Sequence, residues 1–321
     1  MAADALSYRS MNVLVAGGTG VLGRASLRPL IEAGHHVRAT ARGFEKAQWV
    51  GSLGAEPIDV DLYDRAAVRR AIKGSDVLIR LTAKIVSLSA MRSAGAWEET
   101  NRLRTLGART LVDAAIAEGV KVYIHESVVF VYRDGGSSWL MEDATTDDGG
   151  TRILRATLQG EQEAVRFSEA GGRGIILRFG AFYGADAPSS TELATMARRH
   201  LLAQIGSGSN YFSSIYVPDA GRAVAAAVGL PAGIYNVCDD DPLLFSQYVR
   251  IVVESAGAPK QLRLPGLLGT WLFGDVWKYF SRSLRVSNGK LRAASNWTPH
   301  ARSAREGWSL TAHALRYGKT S

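Results

Sequence analysis

Three glycines, Gly17, Gly20 and Gly23, follow the apolar run Val13-Leu14-Val15-Ala16, and Gly18, Gly20 and Gly23 also fit G-x-G-x-x-G. Each glycine in such a loop has a job. One permits a tight turn, one lets the backbone approach a pyrophosphate, and one lets a helix pack closely on a strand. The residues between and beside them, Thr19, Val21 and Leu22, would then present backbone groups to the phosphates at a helix N-terminus. The chemistry implied is dinucleotide binding. A dinucleotide site of this kind places an acidic residue roughly 20 positions past the glycines to bind a ribose 2′-hydroxyl. That place holds Ala41-Arg42, and Arg24 directly follows the last glycine. Arginine matches a phosphate with a planar fork of donors, which favours NADP(H) over NAD(H). Three further side chains with usable chemistry fall at strand ends: Ser127, Lys84 and Tyr183.

The elements that must position these groups alternate. A helix is expected from Arg24 to Ala33, and strands at Val37–Ala41 and Glu56–Val60. A helix follows at Arg65–Ile72, a strand at Asp76–Leu81 and a long helix from Trp97 to Glu118. A strand at Val120–Glu126, a helix from Ile153 to Ala170 and a strand at Gly174–Arg178 complete the series. Alternation of this type predicts an α/β, doubly wound parallel sheet (a Rossmann fold) with ligand beyond the strand carboxyl ends. The dinucleotide domain is expected over 11–184, with 213–238 returning to it. Residues 185–212 and 239–315 read as a smaller, mainly helical substrate lobe.

Composition narrows the class. The chain has 321 residues, 46% of them hydrophobic, and a formal net charge of +8. No window approaches the roughly 20 apolar residues of a membrane span. Met1 to Ser10 carry charge and no apolar run, so they read as a frayed tail rather than a signal peptide. Cys238 stands alone, which excludes a disulfide framework within one chain and suits a cytoplasmic protein. The basic residues are scattered arginines without a nucleic-acid motif, so an anionic small molecule explains the charge better than nucleic acid. The run Asp239-Asp240-Asp241-Pro242 reads as a solvated turn before a helix, and no metal site is expected.

These residues together resemble the extended short-chain dehydrogenase/reductase family, also called the NAD-dependent epimerase/dehydratase family, from about Met11 to Trp308. Val13 to Gly23 is similar to its opening strand and glycine loop. The segment from Asp59 to Asp64 resembles G-D-L-x-D, which implies that Asp61, with Leu62 beside it, contacts the adenine. Asp76 to Ala83 resembles D-V-V-x-H-L-A-A, whose end (Leu81, Thr82, Ala83) passes along the cofactor. Thr100-Asn101 with Thr105 resembles V-N-x-x-G-T. Leu177 to Gly184 resembles L-R-P-G-N-V-Y-G, so Phe179 and Phe182 are expected to line the nicotinamide. Tyr216 to Ala220 and Tyr235 to Asp240 resemble H-V-D-D-x and Y-N-V-G-x.

The resemblance fails where the family keeps its chemistry. That chemistry uses a tyrosine, a lysine four residues later on the same helix face, and a serine or threonine. Counting back from Tyr132 puts Val128 at the hydroxyl position, one place after Ser127. Aligning Gln162 and Val165 puts Leu154 and Leu158 at the tyrosine and lysine positions. No lysine in the chain has a tyrosine four residues before it. A leucine cannot exchange a proton. Phe212 replaces an arginine that the family's sugar-nucleotide enzymes often use to hold substrate pyrophosphate.

The lobe carries Leu264, Leu267, Leu268, Trp271, Leu272, Phe273, Val276, Trp277, Tyr279 and Phe280. Such a surface suits an apolar small-molecule substrate. It equally suits packing of the lobe on the sheet; a peripheral membrane face is the weaker alternative, because the cationic flank is modest. Three functions stay open. The first is an NADP(H)-dependent oxidoreductase on an apolar substrate with a substitute proton donor. The second is a non-redox cyclase, isomerase or dehydratase, and the third a non-catalytic dinucleotide-binding protein. The resemblance also makes a homodimer plausible, through the helices near 97–118 and 153–170.

Overall fold

In the computed structural model, residues 10–84, 86–87, 90–91 and 93–317 are described. The segment expected to fray, up to Arg9, lies outside them. Seven strands form one parallel sheet: β1 (Asn12–Ala16), β2 (His36–Thr40), β3 (Glu56–Ile58), β4 (Val77–Arg80), β5 (Val122–Val128), β6 (Arg173–Phe179) and β7 (Gly233–Val237). Their order is β7-β6-β5-β4-β1-β2-β3. The order reverses between β1 and β4, and that is where a doubly wound sheet opens a crevice for ligand.

Helices cover both faces. On one side α1 (Val21–Glu32) and α2 (Phe44–Ser52) lie over the first strands; on the other lie α3 (Arg65–Ile72), α4 (Glu98–Arg102), α5 (Ala108–Ala117) and α6 (Arg152–Glu169). The strand pattern explains the layering. Val13, Val15, Val77, Ile79, Val122 and Ile124 face one apolar core, while Leu14, Leu78 and Tyr123 face the other with Val68, Leu111 and Phe167. Residues two apart share a face of a strand, and both faces are buried, so the strands read as near-continuous apolar runs.

Two expectations shift. Helix α1 begins at Val21 rather than Arg24, because Gly23 serves helix packing rather than the loop. The long helix near Trp97 is interrupted by a π-turn at Leu103–Gly107 between α4 and α5. Such a turn adds one residue to the helix and re-aims its side chains. Here Arg104 turns inward and its guanidinium donates to Thr157 Oγ1 on α6 at 2.8 Å.

The remaining helices are α7 (Pro188–Arg198), α8 (Val217–Ala227), α9 (Phe245–Ser255), α10 (Leu267–Phe273), α11 (Val276–Phe280), α12 (Gly289–Ala294) and α13 (Ala304–Tyr317). Helix α8 packs on α1 so closely that a Cβ at Gly221 would lie 2.1 Å from the Ala25 carbonyl oxygen. Tyr183, Phe212, Tyr248, Val252 and Trp308 belong to a further apolar cluster, apart from the two that flank the sheet. Among the described residues no helix is long and apolar enough to cross a membrane.

Candidate dinucleotide site and its apolar neighbour

The loop between β1 and α1 is shaped by its glycines. Gly17 sits at φ +95°, a conformation that L side chains rarely adopt, and a Cβ there would meet the Leu81 carbonyl at 2.7 Å. Its N–H donates to Thr40 Oγ1 at the end of β2 (2.8 Å). A Cβ at Gly23 would lie 2.1 Å from the Gly17 carbonyl oxygen. These two positions thus join the ends of β1, β2 and β4 to the first turn of α1.

That first turn has unspent polarity. The N-cap of α1 is Gly20, which brings no capping side chain, and the turn contains no acidic residue. By contrast Asp64 caps α3 and Thr151 caps α6 through their side chains. The N–H groups of Val21, Leu22 and Gly23 have no intrahelical acceptor and carry the positive end of the helix dipole. A Cβ at Gly20 would have only the Gly17 carbonyl oxygen near it, at 3.4 Å, so the loop is uncrowded at its cap. The residues fit a dinucleotide pyrophosphate.

Around this loop the other expected residues fall as follows. The Arg24 side chain donates from Nε to the Thr19 carbonyl (3.1 Å), and its guanidinium lies 4.7 Å over the Trp49 ring. Arg42 is exposed in the turn after β2 and makes no ion pair among the described residues. Asp61 is exposed, and its carboxylate accepts the Tyr63 N–H, with Leu62 half-buried beside it. Thr82 is buried and its Oγ1 has no hydrogen-bond partner among the described residues, as is true of Asn101 Oδ1. Ala83 is half-buried beside the exposed Lys84, whose backbone pairs with Thr100 Oγ1. Leu22, Leu81 and Phe179 belong to the core, so only their backbones can face a ligand. Phe182 is half-buried, 5.4 Å from the Phe179 ring.

Two of the proposed catalytic side chains are withdrawn from any cleft. Ser127 is fully buried, and its hydroxyl donates to Glu161 Oε1 at 2.5 Å. Arg178 holds the same carboxylate through Nε (2.9 Å) and Nη2 (2.7 Å). Tyr183 is fully buried, stacks on Trp308, and donates to Asp239 Oδ2 at 3.0 Å. Burial, and then the Asp239 carboxylate, push its pKa well above the ordinary tyrosine value. The run beginning at Asp239 is also not a simple solvated turn. Asp239 is buried and accepts from Ser214, Tyr183 and the Tyr216 N–H, while Asp240 pairs with Arg292 and Arg302.

A second charged cluster lies under the ends of β4 and β5, and sequence reasoning missed it. Arg80 is fully buried and donates to the Thr82 carbonyl (2.8 Å). Glu126 lies between Arg80 (3.5 Å) and Arg104 (3.7 Å). Next to it, His125 Nδ1 bonds the Tyr123 hydroxyl, and burial, then Arg80 and Arg104, hold the His125 pKa well below its usual value. The available signal was Arg80 and Arg104 standing at the histidine and glycine places of the two family segments.

Above this layer the positions aligned with the family's proton-transfer pair are apolar. Leu154 is buried in a cluster with Val131 of the β5–α6 segment and Val276 of α11, and Leu158, Phe130 and Phe280 pack against it. Helix α11 divides this wall from a cavity of about 410 Å³ bounded by the Gly206–Tyr211 loop, with Trp277 and Ser281 on the helix side.

The model of the NAD dependent epimerase/dehydratase family matches residues 13–238, from the first strand to the end of the seventh. The chain belongs to that family. Among curated proteins it is 31% identical over 312 residues to a 3-diazoavenalumate denitrifying reductase from Streptomyces sp, covering 92% of this chain and 99% of the relative. It is 28% identical to a 4-hydroxy-2-methyl-3-oxo-4-farnesyl-3,4-dihydroquinoline-1-oxide ketoreductase from Stigmatella aurantiaca, over 77% of this chain and 74% of that one. Among solved structures, the human epimerase family protein SDR39U1 with NADPH superposes with a TM-score of 0.77 at 19% identity. That match covers 94% of this chain and 99% of the other. Family members of known name therefore include reductases, and the fold is that of nicotinamide-dinucleotide proteins.

Proposed function

We propose that this chain is an NADP(H)-dependent reductase whose hydride acceptor needs no proton from the protein, and that the acceptor is an aromatic diazonium compound. The observation that carries the reading is the pairing of an uncapped glycine loop with an apolar wall. The loop is kept for a dinucleotide, while Leu154 and Leu158 stand where relatives of the ketoreductase kind need a proton donor.

The chemistry distinguishes the two acceptors. Reducing a ketone places negative charge on oxygen, and a donor must neutralise it. Reducing a diazonium does not. The bound dinucleotide supplies hydride, and the balance is Ar–N₂⁺ plus NADPH giving Ar–H, N₂ and NADP⁺. A C–H bond forms, the C–N bond breaks with its electron pair leaving on N₂, and no proton is consumed. The positive charge passes from the diazonium to the nicotinamide, so no negative charge builds up on a substrate atom for a protein donor to neutralise. The half-buried Leu158, backed by the closed cluster of Leu154, Val131 and Val276, offers no such donor. The relative named as a denitrifying reductase of a diazo compound, similar over nearly its whole length, supports this substrate class.

In this reading the N–H groups of Val21, Leu22 and Gly23 hold the pyrophosphate. Arg42 and Arg24 take the 2′-phosphate, Asp61 and Leu62 the adenosine, and Leu81 to Ala83 with Asn101 the inner ribose. Phe182 and the backbone at Phe179 bound the nicotinamide. Ser127 and Tyr183 hold the scaffold, and Lys84 stands at the cleft rim. The test is to supply NADPH with an arenediazonium salt and, separately, with an aryl ketone. Dinucleotide oxidation matched one-to-one by N₂ release, with the ketone untouched, supports the reading. Turnover of the ketone alone overturns it.

A further inference from the structure

Helix α10 presents apolar side chains to solvent where the sequence also allowed packing on the sheet. Leu267 is 91% exposed and Trp271 65%. They are four residues apart, hence on one face of the helix. The opposite face is the seated one: a Cβ at Gly269 would lie 2.2 Å from the Trp277 indole. Leu268 adds to the exposed face.

The face extends beyond the helix. Leu262–Leu264 pairs in parallel with Ala203–Ile205, and the Leu262 N–H donates to the Leu202 carbonyl. This ladder sets exposed Leu262 (46%) opposite Ala203, two residues after exposed Leu201 (59%). At its other end Gly266 abuts Gly206, and α10 starts from there. Apolar groups from three segments therefore share one edge of the lobe.

Cations flank them. Arg198 and Arg199 precede Leu201, and Lys260 and Arg263 bracket Leu262; all four are exposed. None of the four is in an ion pair among the described residues, while nearby Asp275 is held by Lys278 at 2.7 Å. Exposed leucine and tryptophan between unpaired basic side chains match a membrane interface, where apolar groups enter the acyl boundary and cations meet headgroups.

We propose that this face docks the protein on a bilayer bearing anionic lipids. It lies on the membrane without spanning it, and the inference holds whatever the reaction catalysed. Charge argues against a second copy as the occupant. A two-fold interface would bring the same patch, with its four cations, against itself.

The test is co-sedimentation of the full chain with vesicles of phosphatidylcholine alone or mixed with phosphatidylglycerol. Binding is expected to the mixed vesicles only, and to weaken as salt is raised. The double variant Leu267→Ser/Trp271→Ser and the double variant Arg199→Glu/Arg263→Glu should each lower partitioning on the order of tenfold. Both should melt like the parent, since every altered side chain is exposed. Absence of binding to the mixed vesicles overturns the proposal, as does binding that both variants retain. A lipid-independent dimer that the Leu267/Trp271 variant dissolves, without vesicle binding by the parent, would assign the face to self-association instead.

Discussion

Ser127 on β5 and Glu161 on α6 share a 2.5 Å hydrogen bond inside the protein, and Arg178 on β6 closes a two-point ion pair on the same carboxylate. All three side chains are buried. The arrangement ties α6 to two neighbouring strands and so fixes the wall that Leu154 and Leu158 form. Removing the carboxylate leaves the Arg178 charge buried without its partner. Glu161→Ala is expected to destabilise by on the order of 3–5 kcal/mol. Ser127→Ala should cost about 1–2 kcal/mol and leave turnover at saturating substrate within a few-fold of the parent. Urea unfolding together with steady-state rates checks both. A collapse of turnover in Ser127→Ala at unchanged stability would return Ser127 to the chemistry.

His125 gives stability a pH dependence of known sign. Its folded pKa lies well below the usual 6.5, because of burial and then Arg80 and Arg104. The unfolded chain takes up this proton as pH falls below 6.5, and the folded chain does not. Stability is therefore lost as pH falls through that value, by about 1.4 kcal/mol per pH unit for this one group. His35, lowered by burial, acts in the same direction. Between about pH 6.5 and about pH 5.5, His125→Gln should show a slope shallower than the parent by roughly 1 kcal/mol. Equal slopes in chemical unfolding would show that His125 titrates normally in the folded protein.

The glycine loop makes a separate prediction. A methyl group at Gly23 would lie 2.1 Å from the Gly17 carbonyl, whereas one at Gly51 in α2 would meet nothing within 4 Å. Gly23→Ala is expected to destabilise by about 1–3 kcal/mol through overpacking and to weaken NADPH binding at least tenfold. Gly51→Ala should be neutral or stabilising by about 0.5–1 kcal/mol. Calorimetric titration with NADPH and thermal melting of both variants separate the two cases.

Cofactor choice rests on the turn after β2. Arg42 is exposed and free of ion pairs among the described residues, so it can meet a 2′-phosphate without breaking another contact. A charge-assisted hydrogen bond of this kind contributes about 1.5–3 kcal/mol, or roughly 10–100-fold in affinity. Arg42→Ala should weaken NADPH binding by that factor and leave NADH binding unchanged. Equal loss for both dinucleotides would remove Arg42 from the 2′-phosphate.

The sheet and the dinucleotide loop were legible in the sequence because both are local. Apolar runs of strand length recur between helical periods, and Gly17 to Gly23 carry their own geometry. Helix α3 was expected at Arg65–Ile72 and is found there, since Asp64 caps it and Arg69 and Arg70 close it. The partners of buried polar groups were not legible. Ser127 and Glu161 are 34 residues apart and Tyr183 and Asp239 are 56 apart; nothing near either residue announces the other. Nor does residue type say whether an apolar helix is covered. Val276 on α11 is buried and Leu267 on α10 stands in solvent, although both occur in the same apolar stretch. The absence of a tyrosine–lysine pair was readable from the chain alone; that Leu154 packs with Val131 and Val276 was not.

The central claim is hydride delivery to carbon without a proton from the protein or solvent. It is tested most directly by running the reaction with an arenediazonium and NADPH deuterated at the nicotinamide C4, in ordinary water, and again with unlabelled NADPH in deuterium oxide. The expected product carries deuterium at the former diazo carbon in the first experiment and none in the second, after subtraction of the enzyme-free background. Solvent deuterium at that carbon, with none from the dinucleotide, would contradict the account.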